Sequence, residues 1–323
     1  MDVERRQFLV AGAMTVAAVG LHTSSTPHEL AAIDRATEWL FSPRLTAASR
    51  SGKVVLVEFC TYTCVNWLRT MPYVRAWSQK YRERLLVIGV HTPEFPFERD
   101  VENVQRALGR MNVDFPIVLD NDYAIWRAFD NHYWPALYFM DLQGRVRHHH
   151  FGEGEYEQSE RVIQQLVASA GATALDQRLV SVEPSGIELQ ADWTDLRSQE
   201  TYLRSDTVEE LGRPWSLSGK WTIGSGSVTS TAPNARVTYR FHARDVNLVM
   251  GPSHRNQAIR FRVTIDGRAP DSAHGLDVDD NGNGVVAEPR TYQLIRQPKP
   301  IVDRAFAIEF LDAGAEVFDF TFG

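Results

Sequence analysis

The sequence predicts an α/β domain followed by an all-β sandwich of jelly-roll-like form. Its 323 residues correspond to roughly two domains, at about 150 residues each. Before Gly171, apolar runs of strand length alternate with stretches of helical periodicity. After it, short alternating runs are separated by turn residues. We therefore assign residues 28–171 to the first domain and residues 172–323 to the second.

Hydrophobic periodicity predicts the elements of the first domain in order. Runs of strand length occur at 54–59, 85–90, 115–119, 136–141 and 146–151. Stretches with apolar residues at helical spacing occur at 29–41, 64–83, 101–111, 123–129 and 157–170. Pro72 is expected to interrupt the second of these helices. Strands that alternate with helices and end in a hairpin imply a small α/β sandwich.

The second domain is predicted from strands alone. They are expected at 237–241, 246–250, 259–265, 292–295, 305–310 and 317–322. The intervals between them suit a β-sandwich. Its aromatic residues could line a sugar-binding face, although such side chains more often form a core. These aromatic residues are Trp215, Trp221, Tyr239, Phe241 and Phe261.

Residues 1–27 are predicted to be an export signal. Arg5 and Arg6 precede an apolar run from Phe8 to Leu21. That run is shorter than the about 20 residues of a membrane helix but suits the core of a signal peptide. Paired arginines in this position are typical of twin-arginine signals. We expect an exported protein of the periplasm or cell envelope, and leave open whether the signal is cleaved.

Composition excludes several classes of protein. The net charge is −7, from 34 basic and 41 acidic residues, which argues against nucleic-acid binding and against a polybasic membrane contact. Cys60 and Cys64 are the 2 cysteines, so the chain is neither a disulfide scaffold nor a four-cysteine zinc protein. Two cysteines this close together indicate chemistry rather than a structural framework.

The position of Cys64 predicts a reactive thiol. It follows a buried strand and opens a helical pattern. The N–H groups at a helix start are expected to lower its pKa from about 8.5 into the range of roughly 3.5–7.5. Further along, Pro135 follows Trp134, and this bond can adopt the cis form that places a backbone group opposite a sulfur. The pattern therefore predicts thiol redox chemistry.

The stretch 59–73, FCTYTCVNWLRTMPY, resembles the active-site stretch of DipZ-type thioredoxin-like proteins. These belong to the redoxin superfamily, with the TlpA-like reductases and the alkyl hydroperoxide reductases. Further similar segments are HTPEF at 91–95, DNDY at 120–123, YWPA at 133–136, HHFGEG at 149–154, YRFHAR at 239–244 and YQLIR at 292–296. The resemblance implies a thioredoxin fold with a carbohydrate-binding-module-like domain behind it. DipZ proteins add a multi-helix membrane domain, which we expect this chain to lack.

The resemblance also implies site residues. By position, Cys64 is the family's attacking cysteine, while the resolving cysteine is replaced by Trp67 and the preceding tryptophan by Cys60. Glu58 falls on the buried acid that serves the resolving cysteine. Pro135 would shape the groove for a partner chain.

Trp67 and Trp134 would cover the sulfur and contact substrate. The implied partners are a thiol- or disulfide-bearing protein or a small thiol, with a membrane-bound electron donor and a glycan as further candidates. No cofactor is needed for such chemistry.

Three interpretations of the altered motif stay open. Cys60 could resolve a mixed disulfide on Cys64, if their Cα atoms come within about 7 Å. Cys64 could act alone as a monothiol that depends on an external thiol. Alternatively, the site is inactive and the fold serves binding, of a protein or a glycan. A peroxidase is a lesser alternative, because Thr61 and Cys64 match the Thr-x-x-Cys spacing but Val57 stands where a framing residue is expected.

The stretch 277–288 predicts a calcium site. Asp277, Asp279, Asn281 and Glu288 occupy positions 1, 3, 5 and 12 of the calcium-loop spacing, with a glycine at position 6. The flanking segments read as strands, so an EF-hand is not expected. An Asx-rich surface turn is the alternative.

Overall fold

The computed structural model describes residues 28–172, 175–208 and 212–323. The predicted signal segment 1–27 lies outside the described residues. The described residues form two compact units. The first unit comprises the described residues of 28–61, 73–93 and 113–181, and the second comprises those of 62–72, 94–112 and 182–323. The domain limits 28–171 and 172–323 stay predictions.

The first unit is built on a six-stranded mixed sheet. Its strands are β1 (Glu38–Leu40), β2 (Val54–Cys60), β3 (Leu85–His91), β4 (Ile117–Leu119), β5 (Ala136–Met140) and β6 (Val146–Phe151). Their order is β1-β4-β3-β2-β5-β6. Strands β2, β3 and β4 run parallel, while β1, β5 and β6 join antiparallel. All seven residues of β2 are buried, as its continuous apolar run predicts.

The helices along the chain before residue 170 are short except for three. They are α1 (His28–Ala32), α2 (Ala47–Arg50), α3 (Val65–Lys80), α4 (Val101–Arg110), α5 (Ala124–Ala128) and α6 (Tyr156–Ser169). The helix predicted over 29–41 is wrong beyond Arg35, because Glu38–Leu40 pairs with β4. Tertiary strand pairing here outweighs local helical periodicity.

Helix α3 continues through Pro72, so the predicted interruption is wrong. Trp67, Met71, Val74 and Trp77 along the helix are all fully buried. A proline inside a helix removes one backbone hydrogen bond. Burial of four large side chains at helical spacing outweighs that loss.

A buried carboxylate joins helices α3 and α6 within the first unit. Glu160 of α6 accepts hydrogen bonds from Trp77 Nε1 (3.3 Å), Lys80 Nζ (2.9 Å) and the Tyr81 hydroxyl (2.6 Å). It also accepts the backbone N–H of Val180 at 2.8 Å. Its charge is therefore satisfied by donors from two segments of the chain.

The second unit contains two antiparallel sheets with a common apolar core. The strands are β7 (Thr201–Tyr202), β8 (Trp215–Ser218), β9 (Trp221–Ile223), β10 (Val228–Ser230), β11 (Ala235–Phe241), β12 (Asp245–Pro252), β13 (Ile259–Ile265), β14 (Asn283–Val286), β15 (Arg290–Arg296), β16 (Arg304–Phe310) and β17 (Ala315–Phe322). One sheet has the order β15-β12-β17-β10-β9 with β7 beside β17, and the other has the order β14-β13-β16-β11-β8. Helix α7 (Ser205–Val208) follows β7.

Buried side chains from both sheets form one cluster. The predicted β-sandwich is therefore confirmed. Five short strands were not predicted from the sequence. They have between two and four residues each and are β7 to β10 and β14. Runs that short carry too little alternation to be recognised.

Most of the aromatic residues that could have formed a sugar-binding face belong to the sandwich core. Trp215, Tyr239, Phe241 and Phe261 are buried in it, and Trp221 packs against it half-buried. The four buried rings cannot line a sugar-binding face, because the protein itself covers them, whereas a sugar contact of the half-buried Trp221 stays a prediction.

The outer face of the β12–β17 pair is also covered within the second unit. Val249 and Phe318 form a cluster with Phe95, against which Phe97 and Tyr202 pack. Phe95 directly precedes the 3-10 turn Pro96–Arg99 ahead of α4, and Phe97 lies within this turn. Among the described residues, no helix has the length and apolar character needed to cross a membrane.

Candidate functional site

Cys64 lies directly before helix α3. Strand β2 ends at Cys60, a turn follows, and the helix begins at Val65. The Cys64 carbonyl accepts the first intrahelical bond, from Leu68 N–H at 3.0 Å. Its sulfur accepts hydrogen bonds from the N–H groups of Trp67 and Asn66. This is the arrangement in which helix N–H groups stabilise a thiolate.

The pKa of the Cys64 thiol is nevertheless raised well above its ordinary value. Burial of the sulfur is the main cause, and the negative charges of Glu94 and Glu200 add to it. The helix N–H groups act in the opposite direction but do not outweigh these effects. The predicted lowering of the pKa is therefore wrong, because the sequence pattern shows neither the burial of the sulfur nor the two carboxylates near it. Cys64 is half-buried and holds its proton at neutral pH.

The two residues before Cys64 are fixed by hydrogen bonds within the second unit. The Tyr62 hydroxyl donates to the carbonyl of Pro289 at 3.2 Å. The Thr63 hydroxyl donates to Glu98 Oε1 at 2.5 Å, and the Thr63 carbonyl accepts from the Thr291 hydroxyl at 2.6 Å. Residue 63 is thus held through both its side chain and its backbone.

Glu94 is held beside this turn by contacts of its own. Its carboxylate accepts the Tyr202 hydroxyl at 2.6 Å, and its N–H donates to Glu98 Oε2 at 2.6 Å. Sequence reasoning missed both Glu94 and Glu98 as site residues. The segment HTPEF at 91–95 was the available signal, but a sequence segment does not show which carboxylate approaches the sulfur.

Cys60 and Glu58 lie on β2 in the first unit, and both are completely buried. Cys60 has His91 of the neighbouring strand β3 as its register partner. Burial lowers the pKa of His91 to about 3, so its imidazole is neutral over the physiological range. Cys60 and Cys64 are both thiols in the structure. Cys60 thus occupies the position of a small buried apolar residue, and its resolving role stays a prediction.

The Trp134–Pro135 peptide bond is cis. Pro135 is buried, and Trp134 is half-buried with its ring 4.3 Å from that of Trp126. Trp67 is fully buried with 0% exposure. Its ring presents no surface to a docked chain in this structure, and its role in covering the sulfur and contacting substrate stays a prediction.

The first and last predicted calcium ligands are paired with arginines. The carboxylate of Asp277 contacts Arg290 at 2.6 Å, and that of Glu288 contacts Arg106 at 3.3 Å. An arginine paired to a carboxylate occupies the oxygens that a calcium ion would need. The loop 277–288 thus uses its end carboxylates for ion pairs.

The middle of this loop forms a turn and a strand. Asp279 accepts the N–H of Asn283 at 2.7 Å and its side-chain amide at 3.1 Å, as in an Asx turn. Asn281 donates to Asp280, its neighbour in the chain. The part of the chain that the structure describes contains no group of three or more His, Cys, Asp or Glu suited to a metal ion. The calcium prediction is therefore unsupported.

A cavity of about 380 Å³ adjoins the Cys64 segment in the second unit. Tyr62 and Leu68 line one side, while Met111 and Leu276 contribute further apolar surface. Its size falls within the range of small-ligand pockets. Sequence reasoning did not identify this cavity.

The fold and the cysteine position define a thioredoxin-like protein with a C-terminal β-sandwich. Residues 194–323 match the family described as "Thioredoxin like C-terminal domain". Protein DipZ of Mycobacterium tuberculosis (strain CDC 1551 / Oshkosh) is 31% identical over 313 residues, covering 89% of this chain and 42% of DipZ. The chain is thus similar to DipZ over most of its own length, and its second half matches the thioredoxin-like C-terminal domain family.

Two further similarities concern the thioredoxin-like part. Thiol-disulfide oxidoreductase YkuV of Bacillus subtilis (strain 168) is 29% identical over 116 residues, covering 36% of this chain and 78% of YkuV. A thioredoxin-like protein solved in its oxidised form is 28% identical with a TM-score of 0.39, covering 41% of this chain and 90% of that one. The chain spans 42% of the length of the DipZ relatives it matches.

Proposed function

We propose that the protein carries out thiol–disulfide exchange with Cys64 as the attacking thiol. The observation that carries the proposal is the position of Cys64. It is a half-buried thiol at the start of α3, whose sulfur accepts the N–H groups of Asn66 and Trp67. These donors remain in place to stabilise the thiolate when it forms. The similarity to YkuV, a thiol-disulfide oxidoreductase by name, supports the same chemistry.

The reaction starts with loss of the Cys64 proton to solvent, and the thiolate that is released later takes up a proton from solvent. The thiolate attacks one sulfur of a partner disulfide, forming the Cys64 mixed disulfide and releasing the other sulfur as a thiolate. Cys64 is oxidised and the released half is reduced, so electrons balance. Because the raised pKa keeps Cys64 protonated at neutral pH, we expect a slow reaction that accelerates as pH rises.

We propose that Cys64 acts as a monothiol. Trp67 stands where the family's resolving cysteine falls, so an external thiol would release the mixed disulfide by a second exchange. The alternative is resolution by Cys60, with Glu58 as the buried acid that accepts its proton. The proposed partners are a thiol- or disulfide-bearing protein or a small thiol. A membrane-bound electron donor is a further candidate for restoring the thiol.

We further propose export to the periplasm or cell envelope. The support is the sequence of residues 1–27, where Arg5 and Arg6 precede a short apolar run. Pro135 is proposed to shape the groove for a partner chain and Trp134 to contact it, by the family resemblance.

Adduct formation with hydroxyethyl disulfide tests the exchange. The chain, Cys64→Ser and Cys60→Ser are incubated with this reagent at pH 8 to 9, and intact masses are followed over time. A monothiol gives a persistent adduct of one half-disulfide in the unaltered chain and in Cys60→Ser. It gives no adduct in Cys64→Ser. Resolution by Cys60 instead gives a transient adduct in the unaltered chain, ending with the loss of two hydrogens.

A second candidate function is binding without catalysis. The cavity of about 380 Å³ beside Tyr62 and Leu68 favours it, as does a thiol kept protonated. The ligand would be a protein segment or a glycan. A folded chain that forms no adduct in the experiment above would contradict exchange and leave this candidate. Ligand binding would then survive Cys64→Ser.

A further inference from the structure

Glu98 is a fully buried carboxylate in the turn before helix α4. Burying a carboxylate is strongly unfavourable unless donors surround it. Oε1 of Glu98 accepts the Thr63 hydroxyl at 2.5 Å. Oε2 accepts the N–H groups of Glu94 at 2.6 Å and Phe95 at 2.8 Å. One side chain therefore joins the residue before Cys64 to the turn that carries Glu94.

Thr63 transmits this anchoring to the thiol. Its hydroxyl is bound by Glu98 and its carbonyl by the Thr291 hydroxyl, so the peptide that enters Cys64 has a fixed orientation. A change in that orientation would move the sulfur relative to the N–H groups of Asn66 and Trp67. Hydrogen bonds to a sulfur depend steeply on geometry.

We propose that Glu98 is a positioning residue for the Cys64 thiol, acting through the Thr63 hydroxyl. It also fixes the backbone of Glu94, whose carboxylate is held by Tyr202 at 2.6 Å. The inference rests on the proposed exchange at Cys64 and extends it to the residues that set the reactivity of this sulfur. Because Glu98 is fully buried, we expect it to act through Thr63 and not by touching a substrate.

The charged groups that act on the thiol come from two elements. Glu94 precedes the turn Pro96–Arg99, and Glu200 precedes strand β7. Both charges disfavour the thiolate, whereas the N–H groups of the helix start favour it. Loosening Thr63 weakens only the hydrogen bonds from the helix N–H groups that favour the thiolate. The charge of Glu94 keeps its position, since Glu94 stays bound to Glu98 and Tyr202. The thiolate would then form at higher pH.

The test is the pH profile of Cys64 alkylation by iodoacetamide in the full chain, read at the Cys64 peptide. Thr63→Val removes the hydroxyl but keeps the shape of the side chain. We expect its profile to move to higher pH and its rate at pH 8 to fall several-fold. Thr63→Ser, which retains the hydroxyl, should restore most of the rate. Glu102→Gln, an exposed acid in α4, serves as the matched control with an unchanged profile.

A loss of stability alone would lower the unfolding temperature without moving the profile. A folded Thr63→Val protein with the original profile would therefore overturn the inference. Should this variant fail to fold, Thr63→Ala makes the same test because it adds no branched methyl group. Failure of the proposed function is distinguishable. In that case Cys64 alkylates normally and responds to Thr63→Val, but forms no mixed disulfide.

Discussion

Glu160 in the first unit and Glu98 in the second are both almost completely buried carboxylates. Each accepts hydrogen bonds from more than one segment of the chain. The two carboxylates differ in where the groups that donate hydrogen bonds to them lie in the fold. Glu160 joins helices α3 and α6 and the segment that follows them, whereas Glu98 holds the residue next to Cys64. A buried carboxylate with several donors holds those donors in place. The residues next to the donors decide whether the stability of the protein or the reactivity of the thiol depends on it.

The largest effect is expected from Glu160→Ala. It leaves Trp77 Nε1, the Tyr81 hydroxyl and the Val180 N–H without their acceptor. We expect a loss of about 3 kcal/mol in the free energy of unfolding, measured by urea denaturation. The pH profile of Cys64 alkylation in the folded protein should not change. A change in that profile would remove the distinction between the two carboxylates.

Acid adds a second test of the same residue. Burial raises the pKa of Glu160, but hydrogen bonds from Tyr81, Val180 and Lys80 together hold it below its usual range. Its contribution to stability is therefore present above about pH 4.5 and lost as pH falls through the lowered pKa. Glu160→Ala should flatten the stability profile in this acidic range.

His91 is expected to have a smaller effect than Glu160→Ala on the stability of the first unit, when the effect is counted per unit of pH. Burial lowers its pKa to about 3, while an unfolded histidine titrates near 6.5. Between these values the unfolded chain binds the extra proton, so stability falls by about 1.4 kcal/mol for each unit of pH decrease. His91→Gln should remove this slope in denaturation curves between pH 6.5 and 4. An unchanged slope would contradict the burial of a neutral imidazole.

The smallest effect is expected from the charges around Cys64. Glu94 and Glu200 should favour a cationic disulfide over an anionic one. The rate at which Cys64 reacts with each disulfide is divided by the rate of the same disulfide with a simple thiol. We expect this ratio to be several-fold higher for the cationic cystamine than for the anionic dithiodiglycolate. Glu94→Gln should reduce this preference and shift alkylation to lower pH, while Glu102→Gln should do neither. Equal corrected rates for the two disulfides would mean that these carboxylates do not act on the site.

Much of the fold could be predicted from the sequence. The buried runs of β2 and β3 and the long alternating strands of the sandwich carry strong periodicity. Strand β1 was predicted as helix, since its pairing with β4 depends on residues far away in the chain. Helix α3 was expected to break at Pro72, because local sequence does not show how much apolar surface the helix buries.

The site was predictable only in part. The strand and helix pattern and the family resemblance identified Cys64 and Trp134–Pro135, but neither could show that the sulfur is buried or that Glu94 and Glu200 act on the thiol. Burial of the sulfur, together with these two charges, reverses the expected direction of the pKa shift. Likewise, the calcium-loop spacing of 277–288 did not show that Asp277 and Glu288 face arginines. Long-range charge contacts of this kind are set by tertiary structure.

The central claim is that Cys64 is the reactive thiol and that its surroundings keep it protonated at neutral pH. The most direct measurement is the rate of alkylation at each cysteine as a function of pH, read by mass spectrometry before and after reduction. We predict that the rate at Cys64 keeps rising above pH 8.5, the value of an ordinary thiol, while buried Cys60 stays unmodified until the chain unfolds. A rate at Cys64 that levels off below pH 7, or a folded chain in which Cys64 does not react at any pH, would contradict the claim.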